Sequence, residues 1–269
     1  MFKLPSRRRG CFRLNMARFF LELKLLSSII IPVFKNEKQM IRILDQLKKQ
    51  TSKLFEVILV SDGCDQCFRA AIDILMSYPF MIQVYNTEIT DNFAVAAARN
   101  LGAKMANGEQ FIFLDPDVLI PKDMVSKFQE KHEYGYLILM AIDYVNPKKY
   151  SEVIRAEQRI GFNNPNAPAS GFLTQCSAVD RTSFMMIGGF DIRLIGFGGS
   201  DTDFGLRHYR LFQKVKYIKD TRCRHIGLSS GLKMSSPWDF SEVKRRIREK
   251  WYDDPANWIV FFSTNPAVR

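Results

Sequence analysis

Hydrophobic positions along this chain switch repeatedly between short unbroken runs and a helical rhythm. Residues 28–33 form a β-branched apolar run ending in Pro32-Val33, the signature of a buried strand. Met40, Ile43, Leu44 and Leu47 then recur at helical spacing, with Lys and Gln on the other face. Residues 56–60 make a second buried strand, stopped by Ser61-Asp62-Gly63. Ile72, Leu75 and Met76 mark another helix, and residues 81–85 a third strand. The alanine-rich stretch 94–105 predicts a helix capped by Asn92 and ended by Asn107-Gly108. A fourth strand at 111–114 leads straight into Asp115-Pro116-Asp117.

Strands alternating with helices across short turns predict an α/β domain, its central sheet mostly parallel and flanked by helices. Ligands of such sheets bind at the carboxyl ends of the strands, where Asp62 and Asp115 both fall. Past a further apolar run at 136–142 the pattern loosens. A polar, proline-rich loop at 163–168 is followed by Gly188-Gly189-Phe190-Asp191 and by Gly196-Phe197-Gly198-Gly199-Ser200-Asp201. A helix over 201–212 and a strand at 215–218 come next. The expected division is a basic amphipathic leader (1–26), an α/β domain (27–230) and a basic aromatic helical extension (231–269). Within the domain, about 27–120 suits nucleotide binding and about 121–230 suits a second substrate.

Charge changes this picture. The 39 Lys and Arg against 28 Asp and Glu leave a net +11, which favours nucleotides, nucleic acid or anionic headgroups as partners. Arg7, Arg8, Arg9, Arg13 and Arg18 are interleaved with Phe12, Phe19 and Phe20. Lys244, Arg245, Arg246, Arg248 and Lys250 sit beside Trp238, Trp251 and Trp258. Each end reads either as a membrane-surface contact or as a solvated basic segment. No stretch reaches the roughly 20 apolar residues of a membrane span, and no signal-peptide pattern opens the chain. The expectation is a cytoplasmic protein with ends suited to the inner face of the membrane. Five scattered cysteines fit a reducing compartment. Cys64-Asp65-Gln66-Cys67 has redox or zinc spacing, but no second pair completes a zinc site. Two unpaired thiols at a strand end is the reading preferred.

Acidic clusters on so basic a chain suggest a divalent cation holding an anionic substrate. Asp115 and Asp117 lie two apart at a strand end, stiffened by Pro116. Hard divalent cations take one or two carboxylates plus phosphate oxygens, so this pair suits a metal and a ribose hydroxyl. The alternative is a charged turn. His225, one of three histidines, is a metal ligand or a structural residue. Asp201 and Asp203 follow two glycines and read as a general base or as acids at a helix N-terminus. Arg99-Asn100 reads as a phosphate contact or an ion-pairing residue.

The order of residues 30–37 (IIPVFKNE), 60–63 (VSDG), 97–102 (AARNLG) and 114–117 (LDPD) resembles the GT-A glycosyltransferases of family 2. Gly188-Gly189-Phe190-Asp191 and the glycines before Asp201 resemble the galactosyltransferase-type C-terminal segment of some relatives. The resemblance spans about residues 27–227 and implies the GT-A fold. It also implies inverting transfer of a sugar of Gal, GalNAc or Glc type, in cell-surface polysaccharide synthesis. The donor would be a UDP-sugar, the acceptor a glycan or lipid-linked hydroxyl, and the cofactor Mn2+ or Mg2+.

Carried over by position, Pro32, Val33, Glu37, Asp62, Arg99 and Asp115 would bind the donor. Asp117 and His225 would hold the metal. Asp201 would be the base, with Phe197, Gly199 and Ser200 toward the acceptor. Three positions depart from the pattern: Ser200 stands where many relatives have Glu, Phe197 where they have Trp, and Ser61 where an acid is frequent. Two rivals remain, a basic nucleic-acid-binding protein and a nucleotidyltransferase on a similar sheet. Under the favoured reading no nucleic acid is a partner.

Overall fold

The computed structural model describes residues 26–35, 37–87, 94–157, 172–194, 199–227, 245, 249 and 250. The basic leader, Asn92, Phe197, the loop at 163–168 and the three tryptophans lie outside them.

Among the described residues nine strands form one sheet: β1 (Ser27–Val33), β2 (Phe55–Ser61), β3 (Ile82–Asn86), β4 (Gln110–Leu114), β5 (Val118–Leu119), β6 (Leu137–Asn146), β7 (Lys149–Arg155), β8 (Cys176–Asp180) and β9 (Val215–Ile226). Their order is β3-β2-β1-β4-β8-β6-β9-β5, with β7 paired to β6. The half β3-β2-β1-β4 is wholly parallel, as continuous apolar strands separated by helices require. Beyond β4 the sheet is mixed. β8 runs antiparallel to both β4 and β6, β9 runs parallel to β6, and β5 runs antiparallel to β9. The expectation of a mostly parallel sheet therefore describes the first half. The second half departs from it because β8 enters the sheet between β4 and β6 in the reverse direction.

Alternation of side chains along the strands builds two cores. Ile29, Ile31 and Val33 face Met40, Ile43, Leu44 and Leu47 of α1 (Glu37–Leu47), with Phe128 of α4 (Met124–Lys131) in the same cluster. Ile30, Ile58, Val60, Phe111 and Phe113 face the opposite way, toward Ala96, Ala98 and Ala103 of α3 (Val95–Met105). Small residues let α3 approach the sheet closely. At Gly102 an added Cβ would lie 2.5 Å from Ile30 Cγ2, so only glycine fits. Phe184 of α5 (Arg181–Ile187), Phe190 and Phe204 of α6 (Ser200–Phe212) complete this second cluster. Their rings meet at 4.8–5.6 Å in tilted and edge-on contacts.

Most expected elements fall within a residue or two of their observed bounds. α3 begins at Val95 after Ala94, and its first exposed amide is met by a residue far away in the chain, described below. Asn107 does not cap the helix; its amide groups bind buried Glu56. β9 continues eight residues beyond the expected strand end, from Ile218 to Ile226, with a register break between Met140 and Ala141 of its partner.

Candidate active site

Parallel pairing brings the carboxyl ends of β1, β2 and β4 to one edge of the sheet. At the end of β2 the chain turns sharply. Ser61 Oγ donates to the Cys64 carbonyl at 2.7 Å and accepts its N–H at 3.2 Å. Asp62 N–H donates to the carbonyl of Val33 at 3.0 Å, which ties this turn to β1. The Asp62 carboxylate is buried, and Oδ2 accepts the Ala94 N–H at 3.0 Å, capping the approach to α3. Its other oxygen, Oδ1, has no hydrogen-bond partner among the described residues. Burial pushes the Asp62 carboxyl up to about 6, against the opposing Ala94 hydrogen bond and the Arg99 charge.

Asp115, Pro116, Asp117 and Val118 form a four-residue turn, with Val118 N–H donating to the Asp115 carbonyl at 3.3 Å. Proline at the second position presets it. Arg99 on α3 donates from Nη2 to Asp115 Oδ1 at 2.8 Å. β5 then pairs with β9 so that Val118 sits opposite His225, and Ile226 N–H donates to the Asp117 carbonyl at 3.0 Å. This register sets His225 Nε2 3.3 Å from Asp117 Oδ2. His225 Nδ1 lies 3.2 Å from the Gly227 carbonyl, and the ring packs on Tyr144 at 5.2 Å. Burial pushes the Asp117 carboxyl up; the His225 charge opposes this and Asp115 adds to it.

When Nδ1 donates to Gly227, the neutral ring presents the Nε2 lone pair to a carboxylate. Two acceptors facing each other are what a cation between them would satisfy, and the donor set of one carboxylate and one imidazole suits Mn2+. Among the described residues no cluster of three or more His, Cys, Asp or Glu is placed to hold a metal alone. The residues therefore fit a cation that draws its remaining ligands from phosphate oxygens and water.

Asp201 occupies the first turn of α6, with Thr202 N–H donating to Oδ1 at 2.9 Å. Its carboxyl is pushed up by burial, drawn down by Arg99 and raised by Asp115, which places it in the same charge cluster. Ser200 is buried, and the carbonyl of Gly199 accepts the Asp203 N–H at 2.8 Å. The side chain of Val33 is buried within the core, and Glu37 opens α1 just beyond the β1 end.

The surrounding scaffold uses residues whose roles spacing did not signal. Asn100 grips the Gly-Gly-Phe turn with both ends of its amide, donating to the Phe190 carbonyl at 2.8 Å and accepting its N–H at 2.9 Å. Gly189 has φ +70, and an added Cβ would lie 2.6 Å from Asn100 Oδ1. Arg207 binds the Ile187 and Gly189 carbonyls and the Asp203 carboxylate. Lys250 reaches both Asp191 and Asp203, at 2.8 and 2.7 Å. Arg42 on α1 donates to Tyr150 and draws the Asp117 carboxyl down. Asn100, a phosphate or ion-pair candidate by sequence, spends its side-chain amide on the Phe190 backbone.

The family model "Glycosyl transferase family 2" matches residues 28–192. Validoxylamine A glucosyltransferase of Streptomyces hygroscopicus subsp. jinggangensis is 26% identical over 223 residues, covering 68% of this chain and 51% of that protein. S. aureus TarS 1–349, solved with UDP-GlcNAc, superposes with a TM-score of 0.65 at 22% identity, covering 86% of this chain and 67% of that one. GalNAc-T7, solved with UDP, GalNAc and Mn2+, gives a TM-score of 0.65 at 16% identity, covering 85% and 49%. The chain spans about half or less of the length of the curated relatives it matches. With the family model covering most of the chain and the fold shared with solved glycosyltransferases, this chain belongs to glycosyl transferase family 2 and has the GT-A fold.

Proposed function

We propose that this protein is a metal-dependent inverting glycosyltransferase. It moves a sugar of Gal, GalNAc or Glc type from a UDP-sugar to a hydroxyl of a glycan or lipid-linked acceptor. The observation that carries this reading is the convergence of Asp117 and His225, facing each other at 3.3 Å, with the Arg99–Asp115 pair at one sheet edge, whose charges also act on Asp201. The UDP-sugar and Mn2+ complexes of TarS and GalNAc-T7 support the choice of donor and cation.

In this reading Asp62 and the β1 end flank the nucleoside, and Asp115, oriented by Arg99, meets the ribose. Asp117 and His225 hold the cation, which when bound offsets charge developing on the departing diphosphate. Asp201 takes the proton of the acceptor hydroxyl as its oxygen attacks the anomeric carbon. The bond to the diphosphate breaks with its electrons leaving on UDP. Attack from the face opposite the leaving group inverts the anomeric centre. A carboxyl that burial makes more basic than usual suits this task near neutral pH.

Gly199 and Ser200 would meet the acceptor, the role that the family pattern also gives Phe197. Synthesis of cell-surface polysaccharide is the setting, with the basic aromatic ends at the cytoplasmic face of the membrane. Among the described residues no helix is long and apolar enough to cross a membrane.

Calorimetric titration of UDP, with and without Mn2+, tests the reading. The expected result is binding that requires the cation and disappears in Asp117→Asn. Release of UDP, not pyrophosphate, on turnover separates sugar transfer from nucleotidyl transfer.

A further inference from the structure

The turn that carries Asp62 ends in a pair of thiols that the proposed reaction does not use. Cys64 is the N-cap of α2 (Asp65–Asp73), and its sulfur accepts the Cys67 N–H at 3.3 Å. The two sulfurs are 2.6 Å apart, and neither is part of a disulfide. Cys64 is half-exposed, whereas Cys67 is 1% exposed and packed in the core. Burial pushes the Cys64 thiol up, but hydrogen bonds from Cys67, the Lys35 N–H and the Lys35 charge outweigh it and bring it below the ordinary thiol range. An accessible sulfur at a helix N-terminus beside a cation is the environment of a nucleophilic thiol, and a buried neighbour three residues on is placed to resolve it.

The core offers a contrast. Cys176 and Cys223 have sulfurs 3.3 Å apart, but both are fully buried and closed to any reagent. Zinc is not favoured at Cys64-Cys67, since among the described residues no third ligand joins the pair.

We propose that Cys64 and Cys67 form a thiol–disulfide switch, Cys64 attacking and Cys67 resolving, whose state sets the shape of the loop carrying Asp62. The oxidant is a low-molecular-weight disulfide. The Cys64 thiolate attacks one of its sulfurs, the oxidant's S–S bond breaks, and one thiolate leaves to take up a proton. Cys67 then loses its proton, attacks the Cys64 sulfur and expels the second thiol. Two protein thiols have lost two hydrogens, and the oxidant has become two thiols.

Transmission to Asp62 follows from the turn itself. Ser61 Oγ bridges the Cys64 N–H and carbonyl, so reorienting Cys64 strains the bonds that hold Asp62 between Val33 and Ala94. Oxidation also takes away the negative charge of the Cys64 thiolate and so weakens its sulfur as acceptor for the Cys67 N–H.

The test uses the full chain with Cys11→Ser, treated with glutathione disulfide and read by mass spectrometry and amide hydrogen exchange. Expected are one intramolecular disulfide mapping to Cys64–Cys67, reversed by dithiothreitol, and altered exchange at Asp62 and Ala94. Cys67→Ser, or Cys67→Ala should that misfold, should accumulate a glutathione adduct at Cys64; Cys64→Ser, which keeps a good helix cap, should form neither. Absence of the adduct at Cys64, or a disulfide that leaves exchange at Asp62 and Ala94 unchanged, overturns the switch. None of these readouts involves a nucleotide, so they succeed or fail apart from the proposed reaction.

Discussion

Arg99 Nη2 donates to Asp115 Oδ1 at 2.8 Å, and the same buried guanidinium draws down the carboxyls of Asp62 and Asp201. One cation on α3 thus steadies acids from two strand ends and the start of α6. Arg99→Met should leave these acids uncompensated and cost about 3–5 kcal/mol of stability at neutral pH. Urea denaturation measures it, and a loss within experimental error would remove Arg99 from this role.

Asp62 should work against folding at neutral pH. Its folded carboxyl is pushed up to about 6 from the ordinary 3.8, so the native state holds the proton more tightly than the unfolded chain. The stabilising contribution is fully present below the unfolded value and is lost as pH rises through about 6. Above that, the charged group costs about 3 kcal/mol. Asp62→Asn should be more stable than the natural protein at pH 7.5, with the difference vanishing toward pH 4. Denaturation at the two pH values decides, and equal stability at pH 7.5 would contradict the assignment.

Loss of the proposed base should separate chemistry from binding. Asp201→Asn is expected to lower transfer by roughly 100- to 10,000-fold while UDP affinity stays within a factor of a few. Near-normal turnover would exclude Asp201 as base.

Removal of either proposed cation ligand should give the opposite split. Asp117→Asn and His225→Ala should each abolish the dependence of UDP binding on Mn2+, as measured by calorimetry. Unchanged cation dependence in both would move the metal elsewhere.

The Asn100 clamp predicts a stability effect with an allied loss of activity. Asn100→Ala leaves the Phe190 N–H and carbonyl without their partner and should cost about 1–3 kcal/mol. Gly189→Ala meets both the positive φ and the contact with Asn100 Oδ1, so it should be at least as costly. Thermal melts of the two variants check the order.

Much of the parallel half was legible because burial writes itself locally. β1, β2 and β4 are buried along their whole length and centre on short apolar runs, while α1 shows its core face every three or four residues. The second half was less legible. β7 is exposed nearly throughout, so no alternation marks it. The outer part of β9 alternates charged residues with buried Cys223 and His225 across a register break, which hides its length. Asp62, Asp115, Asp117 and Asp201 could be singled out as carboxylates at strand and helix ends, which depends only on local pattern.

Their assembly into one site depends on pairings between segments far apart in the chain. The antiparallel register of β5 on β9 sets Asp117 against His225, and the close approach of α3 to β1 allows Arg99 to reach Asp115. By itself, the sequence determined which segments bury their side chains and where acids stand at the ends of those segments. Tertiary structure alone decided which acids share a cation or a histidine. Hydrophobic periodicity reports burial one segment at a time, whereas strand register and helix docking are settled by packing the whole sheet at once.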